Sequence, residues 1–69
     1  MSNGNSRDHL LFNCSQEHEI DYVAGLYTEH KKVEEFLVEQ CKNGAIINFT
    51  HAEVYDLIKL KLGLAKKQS

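Results

Sequence analysis

Residues 48–64 read NFTHAEVYDLIKLKLGL, and the reading of this stretch decides the fold. Thr50 followed three residues later by Glu53 is a capping box. The threonine hydroxyl accepts from the Glu53 backbone N–H while the Glu53 carboxylate accepts from that of Thr50. Phe49 before the cap and Val54 at the fourth helical position are placed as a hydrophobic staple. Val54, Leu57, Ile58 and Leu62 then recur at helical spacing, and Tyr55 and Leu60 broaden the stripe. Gly63 stops the helix, because glycine takes the left-handed conformation without steric cost, and Leu64 is set to fold back over the last turn. A cap of this kind is worth about 1 kcal/mol. The stretch predicts one complete helix over residues 51–62.

Immediately upstream, residues 45–49 (AIINF) are apolar and β-branched in the middle. Burying such a segment requires partners for its backbone polar groups. The comparable extended stretch is LLFN, residues 10–13, so the two are expected to pair as a short two-stranded ribbon. Farther back, TEHKKVEEFLVEQCKNG (residues 28–44) opens on Thr28 as a cap. Val33, Phe36, Leu37, Gln40 and Cys41 trace an inner stripe, and Asn43-Gly44 forms the stop. This is a second helix over about 29–43. Residues 15–27, SQEHEIDYVAGLY, carry Ser15 as N-cap and acids in the first turn, where the helix dipole favours them. Ile20, Val23, Ala24 and Tyr27 lie along one face, and a first helix over about 15–27 follows. Gly25 weakens it, and the link to Thr28 is so short that a single bent helix competes with two. The expected fold is mainly α: a compact three-helix domain with a small ribbon, occupying residues 9–64. A disordered tail (1–8) precedes it and a flexible, lysine-containing tail (65–69) follows.

Sixty-nine residues make one domain and bury a thin core. Such chains often recover stability from a cross-link, a metal or a second subunit. Cys14 and Cys41 are too few for a disulfide framework and allow one bridge at most. The opening MSNGNSRDHLLFNC has neither the basic head nor the long apolar run of an export signal. The expected compartment is therefore the cytoplasm, with both thiols reduced. No apolar run reaches membrane-spanning length.

Charge is unevenly placed. Glu17, Glu19, Asp21, Glu29, Glu34, Glu35 and Glu39 crowd the first two helices, while Lys42, Lys59, Lys61, Lys66 and Lys67 dominate the remainder. This argues against a nucleic-acid reader, which at this size is basic overall. The connection from Cys41 to Thr50 is also longer than a helix-turn-helix turn. His51, Glu53 and Asp56 are expected to face outward at the start of the third helix, where carboxylates would meet phosphates with like charge. Lys59, Lys61, Lys66 and Lys67 are the nucleic-acid contacts of this alternative.

His9, His18, His30, His51, Cys14 and Cys41 are many metal-ligand types for so short a chain. Cys14-x3-His18 and His30-x3-Glu34 each bring two of them within a turn. They do not form the two close pairs of a structural zinc site, so no metal is expected. No phosphate-binding glycine loop, H-E-x-x-H motif or nucleophile elbow is present, and neither cofactor nor catalysis is expected. Partner binding has positive support. Tyr22, Leu26, Val38, Tyr55 and Leu60 fall off the main stripes and exceed what two neighbouring helices can cover. With Glu34, Glu35 and Glu39 around them they form the expected interaction surface, for a protein partner or a second copy of the chain.

Overall fold

The computed structural model describes residues 8–67 and contains three helices among them: α1 (Glu17–Ala24), α2 (His30–Asn43) and α3 (His51–Leu62). α3 has the expected bounds. The Thr50 hydroxyl accepts from the Glu53 N–H at 3.3 Å, and the Glu53 carboxylate accepts from the Thr50 N–H at 2.9 Å, completing the capping box. Gly63 closes α3 at φ 70°, its N–H bonded to the Lys59 carbonyl. α2 also ends as read. Gly44 sits at φ 72°, its N–H reaching the Cys41 carbonyl while Ala45 N–H reaches that of Gln40. This pair of bonds is a Schellman motif.

α1 is shorter than 15–27. Ser15 is not its cap, because the Ser15 N–H is turned onto the Asn13 side chain at 3.0 Å and Gln16 takes the N-cap position without a side-chain bond. Beyond Ala24 the chain tightens into bonds from Leu26 N–H to Val23 and from Tyr27 N–H to Ala24. Three-residue spacing of this kind finishes a helix rather than extending it. Residues 25–29 then turn, so α1 and α2 are two helices and not one bent one. Thr28 likewise gives way to Glu29 as the N-cap of α2.

The ribbon contracts to one antiparallel bridge, Leu11 with Thr50, and no strand forms among the described residues. Residues 44–48 turn instead of extending, and Asn48 takes φ 71°, a left-handed conformation that asparagine tolerates. Ile46 is thereby driven into the core and Ile47 out of it. The Leu11 segment nonetheless has a use. Carbonyls of Leu10 and Asp8 accept from the backbone N–H groups of His51 and Ala52, at 2.9 and 3.2 Å. These are the first donors of α3, which no bond within the helix can satisfy. A segment expected to build a sheet instead caps a helix.

Phe12, Val23, Ala24, Tyr27, Val33, Leu37, Ile46, Val54 and Ile58 are the buried core, drawn from all three helices and both flanking segments. The Cα radius of gyration is 11.4 Å, close to the ~11 Å of a compact chain of this length. Residues 1–7 of the expected N-terminal tail lie outside the described residues. In the C-terminal one, Lys67 N–H donates to the Leu26 carbonyl at 2.7 Å and the Lys66 ammonium stands 4.0 Å from the centre of the Tyr55 ring.

The thiols expected to be reduced are joined: Cys14 and Cys41 form a disulfide, their Cα atoms 5.7 Å apart. It ties the segment before α1 to the last turns of α2, at the opposite end of the helix pair from the 25–29 turn. Helical periodicity cannot reveal this proximity. Only the antiparallel packing of α1 on α2 brings position 14 to position 41.

Closing a loop of 27 residues in sequence stabilises by about 3–4 kcal/mol in the chain-entropy account, much of what so small a domain possesses. Urea unfolding of the chain in a phosphine reductant, or of Cys14→Ser/Cys41→Ser, is expected to show a loss of about that size. Burial also pushes the Tyr27 phenol up from its ordinary 10.0 to about 12. The unfolded chain then ionises first. The contribution of Tyr27 to stability is complete below about pH 10 and is lost as pH rises through about 12. Tyr27→Phe is expected to flatten the fall in urea midpoint across that window, with no comparable change at neutral pH.

Candidate interaction surface

His51 opens α3 but does not face solvent, contrary to the expectation that it would join Glu53 and Asp56 on the outer face. Its ring is buried, with Nδ1 2.8 Å from the Leu10 carbonyl and Nε2 3.0 Å from Glu19 Oε1. The Glu19 contact is a close approach rather than an aligned hydrogen bond. A carbonyl on one side and a carboxylate on the other are both acceptors. Phe12 meets the ring edge-on at 5.7 Å, and Tyr22 and Tyr55 flank it at 6.3 Å. Glu19 is itself buried in the first turn of α1.

This arrangement redistributes the residues expected to form one surface. Tyr22 and Tyr55 are drawn toward His51 from α1 and α3, leaving Tyr22 only 37% exposed and Tyr55 packed partly against the core. Leu26 is also partly buried against that core. Val38, 41% exposed, lines the α1–α2 groove with Ile20 and Glu34, and with Glu35 and Glu39 borders its outer side. Leu60, 79% exposed, stands apart on α3. The eight residues do not converge on one patch.

Two apolar surfaces do assemble. On α3, Leu60 and Leu57 join Phe49 in a shallow groove whose remaining walls are the carboxylates Glu53 and Asp56. Around the bridge, Leu11 and Ile47 line a second depression beside Cys14, and both are more than half exposed. Sequence reasoning missed Leu11 and Ile47, each of which stands exposed beside a buried neighbour, Phe12 and Ile46.

Of the lysines in the nucleic-acid alternative, Lys66 is engaged on Tyr55, while Lys59 and Lys61 lie exposed in the last turn of α3. Among the ligand types considered for metal, Cys14 and Cys41 are consumed by the disulfide. Among the described residues, Asp21, His30 and Glu34 are the set of three whose ligand atoms converge. No helix among those residues is long and apolar enough to cross a membrane.

In comparisons with known proteins, no family model, no curated protein and no solved structure matches this chain. The functional reading therefore stands on the chemistry of the surface alone.

Glu19→Gln keeps the shape of the side chain and removes its charge beside His51. It is expected to cost about 1–3 kcal/mol, while Glu17→Gln, exposed in the same turn, should change stability by no more than about 0.5 kcal/mol. Urea titrations of the two variants make the comparison, and equal effects would remove the buried pair from the account of stability.

Proposed function

We propose that this chain is a small, cross-linked, non-enzymatic interaction module, an adaptor or regulator that binds a protein segment along α3. The observation that carries the reading is Leu60. A leucine 79% exposed, beside partly covered Leu57 and Phe49, is an apolar feature the fold itself does not use. Glu53 and Asp56 in the same groove give it a negative rim. Charge complementarity then favours a segment that offers an apolar anchor flanked by lysine or arginine. This narrows the contact expected from the sequence to Leu60 and adds Phe49, Leu57, Glu53 and Asp56.

The disulfide bears on where such a module works. Bridges of this kind persist in oxidising environments and are rare in the reducing cytosol. The cross-link supports an oxidising compartment in place of the cytoplasmic one expected from the sequence. The nucleic-acid alternative gains nothing from the geometry, since Glu53 and Asp56 remain at the exposed start of α3 and Lys66 is occupied.

Peptide display against the immobilised, oxidised chain tests the proposal. Enriched peptides are expected to carry a large apolar residue beside basic ones, and Leu60→Glu should abolish their binding while changing stability by no more than about 0.5 kcal/mol. Enrichment indifferent to Leu60→Glu would place the contact elsewhere. Sedimentation showing a dimer that Leu60→Glu dissociates would make the occupant a second copy. Retention on heparin at low salt would favour nucleic acid.

A further inference from the structure

We propose that Asp21, His30 and Glu34 form a binding site for a divalent transition-metal ion of the zinc class, bridging α1 and α2. Asp21 lies in the last turns of α1, His30 is the first residue of α2, and Glu34 follows one turn later on the same face. One ligand atom from each comes within 4.8 Å of the other two. Around tetrahedral zinc, ligands at about 2.0–2.2 Å from the metal stand roughly 3.3–3.6 Å apart. Asp21 and His30 are exposed and Glu34 is half-buried, so modest side-chain rotation closes the difference without moving the backbone.

The donor set selects the class of ion. An imidazole nitrogen with two carboxylates suits zinc and its first-row neighbours, whereas calcium and magnesium take oxygen ligands. Three protein ligands also leave a tetrahedral ion one position for water. Two negative charges match a dication, and Glu17, lining the same α1–α2 groove as Asp21 and Glu34, adds a third nearby. Among the described residues no salt bridge neutralises Asp21 or Glu34. The helix dipoles roughly offset one another, since the negative end of α1 and the positive end of α2 meet beside the site.

The frame that holds the ligands is already built. The 25–29 turn joins the helices beside the triad, and the Cys14–Cys41 bridge ties them at the far end. Ligand backbones fixed in this way need little ordering when the ion arrives, which favours binding by side chains that are themselves at the surface. A bound ion would act as a second staple, closing the turn end of the helix pair. This site shares no residue with the α3 groove and does not depend on what that groove binds.

Isothermal titration of zinc chloride into the full, oxidised chain tests the proposal, alongside cobalt(II) absorption spectra and thermal melts. One equivalent is expected to bind and raise the melting temperature. Cobalt should give a low-symmetry spectrum without thiolate charge transfer, because no free thiol is present. His30→Ala and Asp21→Asn should each weaken binding by roughly tenfold or more, whereas His18→Ala should leave it unchanged. All three positions are exposed, and circular dichroism of the metal-free variants verifies that the helices are intact. Absence of heat and of a thermal shift overturns the site. So does binding that survives both ligand substitutions or is lost equally in His18→Ala.

Discussion

His51 is the point at which the N-terminal segment, α1 and α3 meet, and the arrangement of all three depends on how its ring is satisfied. The Leu10 carbonyl holds one nitrogen and Glu19 faces the other, across separations in sequence that no local signal spans. A buried polar group without partners is costly, so the ring admits few alternative packings. Seating it brings Leu10 and Asp8 to the first N–H groups of α3, pulls Glu19 inward from the start of α1, and gathers Phe12, Tyr22 and Tyr55. The capping box completes the same helix end from the other side. What the surface offers is a residue of this arrangement: Tyr55 packs partly against the core, Tyr22 turns toward His51 yet stays exposed, and Leu60 is left out.

The disulfide and the His51 cluster divide the structure between them. The first holds α1 against α2, and the second holds α3 and the bridge segment onto that pair. Nine buried apolar residues among those described make a slim core, and a chain this short needs such devices to supplement it.

Much of the architecture was legible in the residues, for physical reasons that can be named. Thr50 with Glu53, Gly44 and Gly63 are local signals whose geometry needs only a few neighbouring residues, and each helix end they mark is where it was expected. The start of α1 failed because Asn13 competes for the Ser15 backbone, a side-chain turn two residues long that outweighs a good cap. The ribbon failed because Asn48 can turn left-handed where a β-branched residue could not. His51 is the more instructive error. Positions 51, 54 and 58 share one helical face, and Val54 and Ile58 on that face are fully buried. Spacing therefore placed His51 inside, and only its polarity suggested otherwise. Its partners Leu10 and Glu19 belong to other segments, as do the Cys14–Cys41 pairing and the approach of Asp21 to His30. Periodicity within one helix is silent on all of them.

The Cys14–Cys41 bond closes a covalent ring that contains α1 and all but the last two residues of α2 and leaves α3 outside. The molecule is therefore not uniformly resistant to opening. Within the ring, parting the two helices cannot recover the full freedom of a linear chain, whereas α3 can detach as a unit once His51 leaves its place. Amide protons of α3 should accordingly exchange with solvent ahead of those at the heart of the ring, a hierarchy of protection written by one covalent bond.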